Sequence, residues 1–464
     1  MFDLALEQAQ AAAEREPKRP EVWYELGEAL AEQRDFLGAI EAFERGLRLA
    51  PNSAQFLSQL ANATLNNGDL GRSQEILDSL ARIVPGSAAL ALHQAQIHLR
   101  ANRLQEAEET LRTTPEGERS AEWHIQLGTV LVSMKKWEPA EAALRVVSEG
   151  AGTPNQRAFA WFQWAKMREK QEDYDGAWAA ATEAHRTLDR KPSADRYRRA
   201  ATETKRLMDR QTRAGWARAS MPADDIVLIV GMPRSGTSLL EQILSVTSTV
   251  ANGGELSAAA ITQRRLPLLT DSFLPWPKCI ADMRPADADA LQAIYRGQIA
   301  GIAADRVRVT DKSLLLVNQL GMLSLILPGV RSIMLRRHPL DNIVSCHTTH
   351  LACLGHEYTS DLRTLAEVWR IRNELQDFWM AEMDPKPLDL HYEALVSDQE
   401  AQTRRVLDHL EVPWDPRCLE FHRSQRVART ISFDQVNQKM YTTSVERWRR
   451  YERHLGPAID VLGL

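Results

Sequence analysis

One stretch decides the fold of the C-terminal half of the chain: Asp225-Ile-Val-Leu-Ile-Val-Gly-Met-Pro-Arg-Ser-Gly-Thr-Ser-Leu-Leu-Glu-Gln-Ile-Leu244. Residues 226–230 are an uninterrupted aliphatic run, which is typical of a buried strand in a parallel sheet. A loop from Gly231 to Gly236 follows, and apolar residues at helical spacing begin after Thr237. This strand, loop and helix start directs backbone N–H groups at one point, and the sequence therefore predicts a bound phosphate there.

The two glycines of this loop have the spacing of a nucleotide-binding P-loop, in which lysine follows the second glycine. Thr237 occupies the lysine position here, and the strong cation of the loop is Arg234. A P-loop NTPase needs that lysine on the outer phosphates, so we do not expect ATP or GTP hydrolysis, although anion binding is expected. The structural alternative is a strand-to-helix turn that binds nothing.

The segment from Val230 to Leu244 resembles the 5′-phosphosulfate loop of sulfotransferases. Among sulfotransferases, it most resembles the loop of bacterial enzymes that carry tetratricopeptide repeats. Those enzymes are similar to tyrosylprotein sulfotransferases. The resemblance extends from about Asp224 to the C-terminus. It implies a P-loop-like α/β sulfotransferase domain with a parallel sheet, 3′-phosphoadenylyl sulfate as co-substrate, and no metal. It also implies that the loop binds the donor's 5′-phosphosulfate through Arg234, Ser235, Gly236, Thr237 and Ser238.

The resemblance assigns catalytic roles to four residues. Sulfuryl transfer to a hydroxyl requires a base, cations on the leaving phosphate and an aligned donor. Glu255 is the expected base, because it follows Arg234 by 21 residues, as in tyrosylprotein sulfotransferases. Lys312 is the expected cation on the bridging oxygen, with Arg234 beside it, and Ser432 matches the serine that hydrogen-bonds the transferring group. Without the loop upstream, each would be interpreted as an ordinary surface residue.

A second set of residues matches the family's contacts to the 3′-phosphate and the adenosine. Arg337 at a strand end is followed eight residues later by Ser345, and this spacing pairs a bidentate cation with a hydroxyl near a helix start. Tyr392 and Arg447 match further donor contacts. The chain departs from the pattern at Ser257, where tyrosylprotein enzymes have an arginine that binds acidic peptides, so an acidic tyrosine substrate is not implied.

The N-terminal region contains an internal repeat of 34 residues, shown by Pro17, Pro51 and Pro85. The clearest unit, residues 20–53, matches the tetratricopeptide pattern. We predict about five such units, preceded by the second helix of an incomplete one. Their spacing predicts an α-solenoid, because one helix pair cannot bury its apolar face alone. Two interpretations of the repeats are open: they present a surface that holds a protein or peptide, or they form a scaffold for stability or homodimerisation.

These patterns predict three segments: tetratricopeptide-like repeats at 1–185, a basic connecting helix or linker at 186–223, and the sulfotransferase domain at 224–464. In the last segment, strands are predicted at 226–230, 307–310, 331–335 and 387–391. Glu255, Lys312, Arg337 and Tyr392 lie just beyond predicted strands or loops at the carboxyl edge of the sheet, where ligands of such folds bind. The residues are therefore expected to share one site.

Composition and charge exclude few classes. The net charge of −5 favours neither nucleic acid nor a membrane surface, and no apolar run approaches the length of about 20 residues that spans a bilayer. The N-terminus does not resemble a signal peptide, and the four cysteines form no CxxC pair, so a cytoplasmic protein is expected. The Cys and His residues between Cys346 and His356 fit no standard zinc spacing, and no metal is expected.

The sequence thus predicts a sulfotransferase that moves a sulfuryl group from 3′-phosphoadenylyl sulfate to an acceptor hydroxyl, plausibly a protein or peptide tyrosine held by the repeats. Within the same fold, a carbohydrate or small-molecule acceptor and a P-loop small-molecule kinase are alternatives. An alternative of another class is a repeat-based adaptor with an inactive nucleotide-binding domain.

Overall fold

The computed structural model describes residues 2–32, 35–150, 152–303, 307–351, 355–423 and 439–464. The chain divides into two compact units, Met1–Leu188 and Asp189–Leu464. We call the first the repeat unit and the second the transferase unit. Among the described residues, no helix has both the length and the apolarity needed to cross a membrane.

The repeat unit consists of one helix followed by successive helix pairs. Its α-helices within the described residues are α1 Phe2–Arg15, α2 Pro20–Glu32, α3 Phe36–Leu49, α4 Ala54–Asn66, α5 Leu70–Ile83, α6 Ala88–Arg100, α7 Leu104–Arg112, α8 Ala121–Ser133, α9 Trp137–Ser148, α10 Pro154–Lys170 and α11 Tyr174–Leu188. The predicted class, an N-terminal solenoid of helical repeats, is confirmed.

The helices of a pair approach closely where a glycine faces a large side chain. A Cβ at Gly27 would lie 2.3 Å from Phe43, and a Cβ at Gly128 would lie 2.5 Å from Leu144. Both glycines precede their partners by 16 residues, so the same contact recurs in two units. The small residues of the repeat pattern therefore set the distance between the helices of a pair.

The transferase unit contains a five-stranded parallel sheet with the order β2-β3-β1-β4-β5. The strands are β1 Ile226–Gly231, β2 Val250–Asn252, β3 Arg308–Asp311, β4 Arg331–Arg336 and β5 Leu388–His391. The predicted α/β class with a parallel sheet is confirmed. The short strand β2 was not predicted, because three residues are too few to show a pattern.

Helices connect and cover the strands. They are α12 Asp195–Leu207, α13 Arg210–Ala214, α14 Thr237–Ser245, α15 Ala258–Leu269, α16 Pro285–Ala303, α17 Leu316–Ile326, α18 Pro339–His347, α19 Leu362–Glu382, α20 Tyr392–Ser397 and α21 Gln399–His409, followed by a further helix at Gly456–Leu462. Ile226, Leu228 and Val230 join one hydrophobic cluster, whereas Val227 and Ile229 join another. Both faces of β1 are therefore buried, which explains its continuous aliphatic run.

The basic residues before the sheet pack within the transferase unit. Arg198 of α12 forms an ion pair with Glu367 of α19 at 2.6 Å, and Lys205 pairs with Glu374 at 3.3 Å. Arg210 donates to the backbone carbonyl of Met383 at 3.0 Å. This basic segment is thus matched by acidic groups and carbonyl groups along and just after α19.

Candidate active site

The predicted site residues lie where strands end. Because all five strands are parallel, their carboxyl ends meet at one edge of the sheet. The 231–236 loop follows β1, and the other candidates occur within three residues after a strand: Glu255 after β2, Lys312 after β3, Arg337 after β4 and Tyr392 after β5. These residues therefore lie at the same edge of the sheet.

The loop after β1 is compact and uses two left-handed backbone conformations. Arg234 has φ 65° and Gly236 has φ 105°. A Cβ at Gly231 would lie 2.5 Å from the Ser235 hydroxyl and 2.9 Å from the Leu335 carbonyl oxygen, so only glycine fits there. Gly236 directly precedes α14, and the loop therefore presents its backbone at a helix N-terminus.

Three arginines from separate segments meet beside this loop. The Arg234 Nε donates to the Ser345 Oγ of α18 at 3.1 Å, and an Arg337 Nη donates to the Arg234 carbonyl at 3.0 Å. Arg447 donates to the Thr348 hydroxyl, which lies just after α18, at 3.2 Å. The structure therefore brings together Arg234, Arg337, Ser345 and Arg447, which we call the arginine cluster.

The electrostatics of the arginine cluster favour a bound anion. Burial, together with the charges of Arg337 and Arg447, lowers the pKa of Arg234 to about 10. The buried Ser235 hydroxyl and the Arg337 Nε have no hydrogen-bond partner in the described part of the chain. A bound anion would reduce the repulsion between these arginines. It would also accept hydrogen bonds from the two unsatisfied donors.

Tyr392 supports the cluster from the end of β5. The guanidinium carbon of Arg337 lies 4.6 Å from the centre of the Tyr392 ring, a cation–π geometry. A Cβ at Gly236 would lie 2.6 Å from the same ring. Tyr392 therefore packs against both the loop and the arginine that the resemblance assigns to the 3′-phosphate.

Asp341 was not identified from the sequence. Its buried carboxylate, in the first turn of α18, accepts the backbone N–H groups of Glu446 and Trp448, each at 2.8 Å. These amides flank Arg447, so Asp341 holds the C-terminal segment at the cluster. A lone aspartate after His-Pro-Leu has no distinguishing sequence signal, because its partners are 105 and 107 residues away.

A second group of charges lies at the ends of β2 and β3. The buried Lys312 ammonium is 3.2 Å from a Glu255 carboxylate oxygen and 4.0 Å from Glu241 of α14. Glu241 also accepts from the Gly254 N–H at 2.9 Å and from the Thr310 hydroxyl at 2.7 Å. Glu241 thus fixes the turn that carries Glu255, and both carboxylates lie close to the Lys312 ammonium. The sequence analysis did not identify Glu241.

Burial shifts the acids of this group. It raises the pKa of Glu241, although Lys312 and the hydrogen bond from Thr310 oppose the shift. Burial also raises the pKa of Asp311 to about 7, while the Ser313 N–H and the Tyr295 hydroxyl stabilise its charged form. The site therefore contains carboxylates that hold protons more strongly than exposed ones do.

Two residues named in the sequence predictions, Ser432 and Cys353, lie outside the described residues. The predicted contact of Ser432 with the transferring group therefore stays a prediction. Within the described ranges, no cluster of three or more His, Cys, Asp or Glu side chains is arranged to hold a metal ion. Cys353, which belonged to the cysteine–histidine group noted in the sequence, is also outside them.

Comparisons with known proteins agree with this architecture. The sulfotransferase family model matches residues 225–416, and tetratricopeptide repeat models match residues 2–54, 30–94 and 65–125. The chain therefore carries tetratricopeptide repeats followed by a sulfotransferase-family domain.

Individual relatives are distant. An uncharacterized protein of Aquifex aeolicus (strain VF5) is 26% identical over 345 residues, covering 71% of this chain and 45% of the relative. Protein-tyrosine sulfotransferase A of Caenorhabditis elegans is 23% identical over 222 residues, covering 46% of this chain and 56% of the relative. The chain thus spans about half the length of these curated relatives. The sulfotransferase domain of the Synechococcus PCC 7002 olefin synthase is 20% identical and has a TM-score of 0.37, covering 50% of this chain and 90% of that domain.

Proposed function

We propose that this protein is a sulfotransferase that uses 3′-phosphoadenylyl sulfate and transfers the sulfuryl group to an acceptor hydroxyl. The observation that carries the proposal is the arginine cluster. Three arginines lie beside a glycine loop at a helix start, and the Ser235 hydroxyl and the Arg337 Nε are buried there without hydrogen-bond partners among the described residues. A ligand with more than one phosphate group supplies the charges and acceptors that this cluster requires.

The residues fit the two ends of such a donor. The loop offers the backbone N–H groups of residues 236–238 and the hydroxyls of residues 235, 237 and 238 to the 5′-phosphosulfate, with Arg234 beside them. Arg337, Ser345 and Arg447 offer a compact cationic site to the 3′-phosphate. Tyr392, packed on Arg337 at 4.6 Å, contributes an aromatic face on the same side.

Glu255 and Lys312 supply the groups that the transfer needs. Glu255 accepts the proton of the acceptor hydroxyl, and Lys312 donates to the bridging oxygen as the leaving phosphate gains charge. The Lys312 ammonium is 3.2 Å from a Glu255 carboxylate oxygen, so the proposed cation and the proposed base lie side by side. Ser432 is assigned to the transferring group.

Equilibrium binding tests the donor assignment. Adenosine 3′,5′-bisphosphate is expected to bind without Mg2+ and more tightly than adenosine 5′-phosphate, because the cluster recognises the additional phosphate. Binding of Mg-ATP with no preference for a 3′-phosphate would instead support the small-molecule kinase. Tight binding of the bisphosphate without transfer to any acceptor would support the adaptor with an inactive domain.

For the acceptor, we propose a hydroxyl of a protein or peptide, plausibly of tyrosine. The repeats and the similarity to a protein-tyrosine sulfotransferase support this choice. The full chain and sulfur-labelled donor, added to a lysate of the source cell, should label protein bands that yield tyrosine sulfate after alkaline hydrolysis. Label confined to glycans or small molecules would contradict the proposed acceptor and leave the donor assignment intact.

A further inference from the structure

A further buried cation does not belong to the arginine cluster. Arg372 of α19 is 3% exposed, and one of its Nη atoms donates to the Leu314 carbonyl at 3.0 Å. Its Nε and its other Nη atom are buried and have no hydrogen-bond partner in the described part of the chain. No ion pair of Arg372 occurs among those residues either.

The two unsatisfied groups belong to one edge of the guanidinium. The Nε–H and the Nη2–H of arginine point in nearly the same direction and together bind both oxygens of a carboxylate, sulfate or phosphate group. The bond to Leu314 uses the remaining nitrogen, Nη1, and therefore leaves this edge available. The orientation of Arg372 is thus the one required for side-on recognition of an oxyanion.

A neighbouring buried tyrosine also carries an unsatisfied hydroxyl. Tyr358, in the short 3-10 helix Glu357–Ser360, is 1% exposed, and its hydroxyl has no hydrogen-bond partner in the described ranges. The ring of Tyr197 connects the two residues: it lies 5.6 Å from the Arg372 guanidinium carbon and 5.2 Å from the Tyr358 ring. Burial raises the pKa of Tyr358, and the charge of Arg372 opposes that shift.

The cost of burial distinguishes an anion from water as the occupant. Water can satisfy the two N–H groups and the hydroxyl, but it does not neutralise the charge. A buried charge without a counter-charge costs several kcal/mol in proteins. The cation–π contact with Tyr197 offsets part of this cost, because such contacts contribute about 2 kcal/mol when desolvated. An oxyanion satisfies both the charge and the hydrogen bonds.

We propose that Arg372 and Tyr358 form a buried binding site for a small oxyanion, separate from the arginine cluster. The site lies near the catalytic edge, because Leu314 follows Lys312 by two residues and Gln376, one turn after Arg372, donates to the Val230 carbonyl in β1 at 3.3 Å. Its oxyanion comes either from solution or from an acidic group on the acceptor. The inference does not depend on the identity of the donor.

Thermal unfolding of the full chain tests the site. The background variant Arg337→Ala weakens anion binding at the arginine cluster. In that background, sodium sulfate at constant ionic strength should raise Tm, relative to sodium chloride. Adding Arg372→Met should abolish the response, and adding Tyr358→Phe should raise the half-saturating sulfate concentration by about 10-fold, since one hydrogen bond to a charged group is lost.

A second pair of probes separates the two sources of the anion. An oxyanion that belongs to the acceptor predicts that sulfate has no effect on Tm. It also predicts that 4-hydroxyphenylacetate raises Tm more than phenol does, and only in proteins that retain Arg372. Arg372→Lys is the control for folding, because it keeps the charge and removes the side-on edge. An equal response of the background and its Arg372→Met derivative, or no response to either probe, would overturn the proposal.

Discussion

The repeat unit and the transferase unit bury charged groups in different ways. In the repeat unit, the buried carboxylate of Glu108 is 2.6 Å from Lys136 and 2.7 Å from Arg112, so the charge is compensated within the fold. In the transferase unit, Arg337 is 9% exposed, donates to the backbone carbonyls of Arg234 and Ser444, and has a buried Nε without a hydrogen-bond partner among the described residues. One buried charge is therefore paired inside the fold, whereas the other has incomplete hydrogen bonds, and such a group favours a bound ligand.

The backbone shows the same contrast. In the repeat unit, Gly27 and Gly128 are required by the close packing of one helix on another. In the transferase unit, Gly231 and Gly236 are required by a loop that also holds Arg234 at positive φ. Strained conformations of non-glycine residues persist where the surrounding structure enforces them, and they occur often at binding sites.

The largest expected effect tests whether the transferase unit is catalytic. Glu255→Gln should reduce turnover by about 10²–10⁴-fold, because the amide cannot accept the acceptor's proton. Its affinity for adenosine 3′,5′-bisphosphate should be unchanged. Glu411→Gln, at an exposed carboxylate beside Arg331, is the matched control and should retain wild-type turnover. Wild-type turnover in Glu255→Gln would remove Glu255 from the mechanism.

The next effect tests the uncompensated charge directly. Arg337→Ala should weaken binding of adenosine 3′,5′-bisphosphate by about 2–4 kcal/mol, because a buried phosphate loses its charged partner. Arg331→Ala, at the opposite end of β4, is the control and should have little effect on isothermal titration. Equal losses in the two variants would indicate a general effect of positive charge.

A smaller effect tests the packing of the repeat unit. Gly27→Ala should lower the free energy of unfolding by about 1–3 kcal/mol, because its Cβ overlaps Phe43 and forces the helices apart. Gly117→Ala is the control, since a Cβ there has no neighbour within 4 Å. Urea unfolding of the full chain, followed by circular dichroism, should show a lower midpoint for the first variant alone, with nucleotide binding retained.

The last effect, which is small when measured per pH unit, concerns protons in the transferase unit. Because burial raises the pKa of Asp311 to about 7, the folded state holds a proton that the unfolded state releases near pH 4. The contribution of Asp311 to stability should therefore fall as pH rises from about 4 to 7, by at most about 1.4 kcal/mol per pH unit. Asp311→Asn should lack this dependence, so the difference between the two unfolding curves against pH measures it. A constant difference would contradict the shifted pKa.

The sequence by itself determined the elements with local or periodic signals. The aliphatic run of β1, the glycine loop and the 34-residue repeat each depend on neighbouring residues, so pattern and spacing predict them. The parallel direction of the strands then followed from the alternation of strands and helices along the chain. This shared direction was enough to predict that Glu255, Lys312, Arg337 and Tyr392 lie at one edge of the sheet.

Only the tertiary structure decided which side chains are compensated and which are not. Asp341 holds amides more than 100 residues away, Glu241 shares the cation of Glu255, and Arg372 is buried beside Tyr358 and Tyr197. None of these relations has a local signature, because an aspartate, glutamate or arginine in a helix is usually exposed to solvent. Their roles arise from burial and from contacts between distant segments, which the folded chain alone creates.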